Sequence, residues 1–244
     1  MTEPLLEVAN LDAAVQGFQV THDLSFEVDS AQAVGYVGRN GAGKTTTFRG
    51  IMGLTEVLNG SIRFRGEELT TLRPEQIPRH GIGYQPEDRK LFTGMTIDEN
   101  FRMPIWTLGD ARGIEDEDAA VEDVYDIFEE LSDRRNANVE NLSGGQAKMV
   151  SIGRALSLKP DLLILDEPLE GLAPIIVERL KEYIQEINEM GIAVLIAESN
   201  VQHVPEMVDH LYVIERGEIF DQGDPLAVSQ RTEVQELMQG SGEE

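Results

Sequence analysis

The chain has 244 residues, enough for one large α/β domain, or a domain with a subdomain, around a buried core. Asp and Glu number 45 against 20 Lys and Arg, a net charge of −25, and there are no cysteines. The acid excess opposes binding to nucleic-acid phosphate or anionic lipid, the missing cysteines exclude disulfides and thiolate chemistry, and no apolar run approaches the roughly 18–20 residues that span a bilayer.

Met1–Glu7 carries Glu3 and Glu7 and no basic stretch, so a signal peptide is not expected. Leu5–Ala9 and Leu24–Val28, with Ser61–Phe64, read as an antiparallel accessory sheet. Gln32–Val37, Gly81–Tyr84, Asp161–Leu165 and Ile192–Ala197 have the apolar character of buried strands, and longer helical segments separate them. This is the α/β pattern of a mostly parallel sheet. Residues 95–145 differ: they are acidic, helix-prone and free of strand signals, and Ala119–Leu131 sets Val121, Val124, Ile127, Phe128 and Leu131 on one helical face. They read as a helical insertion between core segments 1–94 and 146–244 of a single domain. Leu211–Ile214 and Glu218–Phe220 form a hairpin turning at Arg216-Gly217, and Gly240–Glu244 reads as a frayed end. The acids are spread along the chain, densest at Glu115–Asp118 and Glu122–Glu130. A global excess of this kind resembles the cytoplasmic proteins of salt-loving organisms; the alternative is an ordinary acidic protein.

Between the Gln32–Val37 strand and a helix starting near Gly43 lies Gly38-Arg-Asn-Gly-Ala-Gly-Lys-Thr45, the pattern G-x-x-x-x-G-K-T. Glycines at 38, 41 and 43, with Asn40 and Ala42 between them, let backbone N–H groups converge on phosphate oxygens without Cβ clashes, and the helix N-terminus adds its positive end. Lys44 reaches the β- and γ-phosphates, the Thr45 hydroxyl ligates Mg²⁺, and Thr46 can contact the α-phosphate side. Leu162-Leu-Ile-Leu-Asp-Glu167 is a buried strand ending in two carboxylates. Asp166 is suited to the magnesium shell and Glu167 to polarising an attacking water as general base.

Leu142-Ser-Gly-Gly-Gln146 precedes the helical segment Ala147–Leu158 and ends 20 residues before Asp166. With the two other motifs it resembles the nucleotide-binding domains of ABC ATPases over essentially the whole chain. The resemblance implies a P-loop ATPase fold with a helical subdomain, ATP and Mg²⁺ as ligands, and a head-to-tail dimer. In such a dimer Ser143, Gly144, Gly145 and Gln146 cap the γ-phosphate of ATP bound to the other subunit, a second anion site made of a hydroxyl, amides and a helix N-terminus. Taken alone, the pentapeptide is also a Ser N-cap followed by flexible glycines.

Glu167-Pro-Leu-Glu-Gly-Leu-Ala-Pro-Ile-Ile-Val177, Gln85-Pro-Glu-Asp-Arg-Lys-Leu-Phe92 followed by Met95-Thr-Ile-Asp-Glu-Asn100, and Ile152-Gly-Arg-Ala-Leu156 are similar to the ATPases of branched-chain amino acid, amide and urea transporters. That implies an importer subunit at the cytoplasmic face of the membrane. Separate permease chains would partner it, with a solute-binding protein involved indirectly and either a second copy or a different cassette completing the dimer. A poorly hydrolysing cassette and a nucleotide-gated clamp without transport are the alternatives. Three positions depart from the commoner family pattern. Glu87 stands where a glutamine usually contacts Mg²⁺ and water, and would bind the metal through water; Gln85 reads as a strand-end residue. Ser199 takes the place of a switch histidine, with His203 expected on the surface of a following helix. Val15 occupies the adenine-stacking position and cannot stack, which leaves Phe18, either on adenine or packed on the core.

Overall fold

A computed structural model describes residues 3–239; the reading of Gly240–Glu244 lies outside them. In chain order the first half contains β1 (Leu6–Val15), β2 (Phe18–Gln19), β3 (Leu24–Val28), β4 (Ala33–Val37), α1 (Lys44–Ile51), β5 (Glu56–Phe64), β6 (Glu67–Glu68) and β7 (Ile82–Gln85). The helical stretch follows as α2 (Ile97–Leu108), α3 (Glu117–Ile127), α4 (Glu129–Ser132) and α5 (Gly144–Leu156). The chain then alternates through β8 (Leu162–Asp166), α6 (Pro174–Glu189) and β9 (Ala193–Glu198), and closes with β10 (His210–Glu215), β11 (Glu218–Gly223), α7 (Pro225–Ser229) and α8 (Thr232–Gln239). None of the described helices is long and apolar enough to cross a membrane.

Two sheets result. The accessory sheet is antiparallel, ordered β2-β1-β5-β6 with β3 also paired to β1. The larger sheet runs β11-β10-β4-β9-β8-β7 and is parallel except for the final hairpin. Its central strands β4, β8 and β9 are buried at every residue. Sheets covered on both faces carry such continuous apolar runs, which is why these strands were legible. Alternation sorts their side chains. Val34, Tyr36, Leu162, Ile164 and Leu195 pack toward the accessory sheet and α1, while Leu163, Leu165, Val194 and Ile196 pack toward α2, α3, α5 and α6.

Two readings change. β1 extends to Val15 instead of ending at Ala9, because Asn10 takes a left-handed backbone (φ 51°) and the pairing register shifts there. The bulge returns Leu11 and Ala13 to the inward face that Leu6 and Val8 occupy. The single helix expected over Ala119–Leu131 breaks at Phe128 (φ −106°, ψ 60°). The break turns the ring of Phe128 edge-on to Tyr183, 5.0 Å between centroids, while Val121, Val124, Ile127 and Leu131 stay buried.

Candidate active site

Strands β4, β8 and β9 are adjacent and parallel, so their carboxyl ends open at one edge of the sheet. Ligand sites of open α/β sheets lie at that edge. β4 delivers the loop Gly38–Gly43 and then α1, whose first turn no side chain caps. Its leading N–H groups therefore have no intrahelical partner. Gly41 (φ 84°) and Gly43 (φ 112°) supply the left-handed turns, and a Cβ on Gly38 would stand 2.5 Å from the Ile214 carbonyl oxygen. The hairpin turn supports the loop from outside: Gly217 N–H donates to the Ala42 carbonyl at 2.8 Å. The pocket so formed has a volume of about 560 Å³ and is lined by Asn40, Gly41, Gly43, Lys44, Thr45, Thr46, Glu87 and Glu167, with Val15, Val20 and Glu170 at its margins.

The Lys44 ammonium is 5% exposed and well supplied with acceptors. It donates to the Gly38 and Arg39 carbonyls (2.7 and 3.2 Å) and to Ser199 Oγ (3.0 Å), and pairs with Glu167 Oε1 at 3.0 Å. Glu167 sits just past β8 with a left-handed backbone (φ 51°), its N–H anchored on the Ala197 carbonyl at 3.0 Å. Ser199, just past β9, grips both of its carboxylate oxygens: the backbone N–H donates to Oε2 at 3.0 Å and Oγ lies 2.5 Å from Oε1. The same hydroxyl is 2.6 Å from Asn40 Oδ1, so its one proton is shared between the loop and the carboxylate.

Asp166 is fully buried and accepts from the Thr45 hydroxyl (3.1 Å) and the Tyr84 hydroxyl (3.2 Å). Burial pushes its pKa up to about 6, with Glu87 and Glu167 adding to the rise against those two hydrogen bonds. A buried carboxylate short of positive charge, beside a threonine hydroxyl at the mouth of a phosphate loop, is a donor set suited to Mg²⁺, whose remaining positions phosphate and water would fill. Glu87 is exposed on the same pocket, at the place for a contact through water.

Ser143–Gln146 lies away from this pocket, at the start of α5. Ser143 Oγ accepts from the Gln146 N–H at 3.3 Å and Gln146 Oε1 accepts from the Ser143 N–H at 3.2 Å, a complete capping box. Ser143 and Gly144 are exposed, whereas Gly145 is buried where a Cβ would stand 2.7 Å from Ile176 Cγ2. Residues 21–170 match the family model described as ABC transporter.

The chain belongs to the ABC transporter ATP-binding family.

This cassette is 38% identical over 201 residues to the high-affinity branched-chain amino acid transport ATP-binding protein BraG of Pseudomonas aeruginosa, covering 82% of this chain and 84% of that one. It is 32% identical to the lipopolysaccharide export system ATP-binding protein LptB of Escherichia coli K12, covering 96% and 97%. Among solved structures, the ADP conformation of MJ1267, an ATP-binding cassette of an ABC transporter, superposes with a TM-score of 0.84 at 28% identity, covering 98% of this chain and all of that one. The chain is thus an ATPase cassette; cassettes of this family dimerise and work with membrane permease subunits.

The cassette's remaining predicted residues divide. Gln85 ends β7, fully buried, with its side-chain N–H on the Pro86 carbonyl and its Oε1 without a partner. Phe18 is 77% exposed, so it is not packed on the core, nor does it line the phosphate pocket; Val15 and Val20 do. His203 is not on a helix surface. It ends a single 3-10 turn, half-buried, and borders a 330 Å³ cavity with Glu167, Glu198 and Ser199. Three groups around the site went unread in the sequence. Tyr84 holds Asp166. Glu198 ends β9 and accepts the Leu169 N–H at 2.9 Å. Lys148 reaches the Glu167 carbonyl from α5 at 2.7 Å. An acid closing a run as apolar as Ala193–Ala197 was the one available sign of Glu198.

Proposed function

We propose that this cassette is the ATP-hydrolysing subunit of an importer for branched-chain amino acids or closely related amides, acting through separate permease chains. The observation that carries the chemistry is the convergence of Lys44, Asp166, Glu167 and Ser199 at the carboxyl ends of β4, β8 and β9. The likeness to BraG supports the substrate class.

Entering phosphates take the place Glu167 holds against Lys44. The ammonium, the loop N–H groups and the open first turn of α1 then face the β- and γ-phosphates, and Thr46 faces the α-phosphate side. Thr45 and Asp166 would hold Mg²⁺, with Glu87 placed to meet it through water; a bound ion would supply neutralisation of the charge that builds on the phosphates. Once released from Lys44, Glu167 accepts the proton of the attacking water, its carboxylate still oriented by the Ser199 N–H. Serine brings no positive charge to the γ-phosphate, so Ser199 works by orientation alone. The separation of Ser143–Gln146 from the chain's own phosphate loop supports a head-to-tail dimer, with a like or unlike cassette, in which the exposed Ser143 and Gly144 close on the partner's ATP. Residues 95–145 are taken as the helical unit that meets the permease, at the cytoplasmic face. Phe18 is left as a candidate for adenine only through motion of the β1–β2 turn.

The similarity to LptB favours one other reading, a subunit of an exporter. Uptake of labelled leucine into vesicles holding the cassette, its permeases and the solute-binding protein decides between them. Uptake is expected with wild type and lost in Lys44→Ala and Glu167→Gln, each lowering ATP turnover by about 10²-fold or more. Undiminished turnover in both variants would refute the site, and turnover without uptake of any branched-chain substrate would refute the substrate class.

A further inference from the structure

Lys148 has no part in the chemistry above, yet it is a lysine at 2% exposure on the inner face of α5, among Met149, Val150 and Ile152. An ammonium there is costly to desolvate, and a methionine of similar length would pack at lower cost. Burial and the nearby Arg89 draw its pKa down, while Glu198, Glu170 and Asp166 favour the charge. Its hydrogen bond goes to the backbone carbonyl of Glu167, at 2.7 Å. That peptide is the one whose left-handed turn aims the Glu167 carboxylate. The backbone from Glu167 to Leu169 is held at three points. Strand β9 takes the Glu167 N–H through the Ala197 carbonyl, Glu198 takes the Leu169 N–H two residues on, and Lys148 takes the Glu167 oxygen from a different element.

We propose that Lys148 is a positioning residue for Glu167, tying the helix that begins at Ser143 to the backbone of the same chain's general base. Lys148 follows Ser143 by five residues, about 7.5 Å along a helix at 1.5 Å per residue. Helix α5 is stiffened at that end by the capping box and seated on Ile176 through Gly145. A shift of its first turn therefore moves the Lys148 amine, and with it the peptide of Glu167. On the head-to-tail reading proposed above, the first turn shifts when Ser143 and Gly144 close on the partner's ATP. Each chain's general base would then be set by the nucleotide in the opposite site, without any contact between the two. Lys148 does not line the phosphate pocket; it acts through Glu167.

The test measures steady-state ATP turnover of the full chain carrying Lys148→Met, which keeps the stem and removes the amine, and Lys148→Gln, which keeps an N–H donor on a shorter arm. The expected result is a fall in kcat of about 10- to 100-fold in Lys148→Met, the range seen when groups that orient a reacting residue are removed, with KM for ATP within about twofold and a smaller fall in Lys148→Gln. Unchanged kcat in Lys148→Met overturns the proposal. So does a parallel loss of kcat and nucleotide affinity in both variants with a collapsed melting temperature, which marks a packing role.

Mixed dimers locate the effect. Two differently tagged chains, one carrying Lys44→Ala, are purified through both tags so that only the phosphate loop of the other chain works. Lys148→Met on the chain with the working loop is expected to lower turnover at least about fivefold more than Lys148→Met on the Lys44→Ala chain. Equal losses in the two placements, or a larger loss in the second, overturn positioning of the chain's own Glu167. Failure of the dimer reading shows separately: Ser143→Ala on the Lys44→Ala chain would then leave turnover intact, while the uniform Lys148 variants still report on Glu167.

Discussion

Glu167 and Glu198 meet in the buried space between the ends of β8 and β9, and together they carry a pH signature. Burial raises the Glu198 pKa to about 8, with the charge of Glu167 and a proton shared with it adding to the rise; the Leu169 N–H and Lys148 oppose it. The folded chain therefore keeps a proton on this carboxyl up to about pH 8, while the unfolded chain releases it near 4.5. Where the folded state binds more protons, stability falls with rising pH. The contribution is fully present below the unfolded value and is lost as pH climbs to about 8. Asp166 acts in the same sense but is exhausted near pH 6, so the interval from about pH 6.5 to about pH 8.5 reports the Glu198–Glu167 pair. The melting temperature of wild type is expected to drop across that interval, and that of Glu198→Gln to drop less. Parallel curves for the two proteins would place the Glu198 proton elsewhere. The residue pattern also shows what a serine does at position 199. It contacts Lys44, Asn40 and Glu167 at once through a single oxygen, a compact bridge across the loop and the two strand ends.

At the scale of elements, the phosphate loop depends on a hairpin 170 or so residues away in the chain. Arg216 (φ 49°) and Gly217 (φ 83°) are both left-handed, the geometry of a two-residue hairpin turn. Gly217 also meets the β2–β3 connection so closely that a Cβ would lie 2.0 Å from the Val20 carbonyl oxygen, and its N–H holds Ala42. Gly217→Ala is expected to lose about 2 kcal/mol or more in urea unfolding, since the left-handed backbone alone costs an L-residue about 1–2 kcal/mol and the contact adds to it. ATP affinity should fall with it. Gly191, left-handed at φ 91° but with open space around its Cβ position, is the control: Gly191→Ala should lose only the backbone cost and leave ATP affinity unchanged. Equal losses at the two positions would mean that the buttress to the loop carries no energy. The hairpin and its turn residues were readable from Arg216-Gly217; its role under the loop was not, because the parallel pairing of β10 with β4 brings the two together and no local pattern encodes that pairing.

For the whole molecule, the net charge of −25 is the dominant long-range fact. Most of the paired basic groups hold a single acid, and a few hold more than one. Arg102 pairs with Asp98, Glu117 and Asp118, knitting α2 to α3, and Arg135 pairs with Glu122 while lying 4.2 Å from the ring centre of Tyr125. The remaining acids repel one another, and salt shortens that repulsion from about 10 Å at 0.1 M to about 3 Å at 1 M. The melting temperature is expected to rise between those salt concentrations, with no fall in ATP turnover. A flat or falling melting temperature would reduce the charge to ordinary surface acidity.

The sequence by itself determined the three motifs, the buried strands that carry two of them, and the helical stretch between. Each of those signals is local: a glycine spacing, an apolar run covered on both faces, a helical periodicity. The tertiary structure alone decided which side chains meet. Strand β9 lies between β4 and β8 although it follows both in sequence, so Ser199 and Glu198 are carried between the phosphate loop and the carboxylates of Asp166 and Glu167. Lys148 and Tyr84 reach the same strand ends from a helix and from the neighbouring strand β7. Contacts across such separations depend on strand order and on which face of α5 turns inward. Both are settled by burying apolar surface over the entire chain, and no short stretch of residues records the outcome.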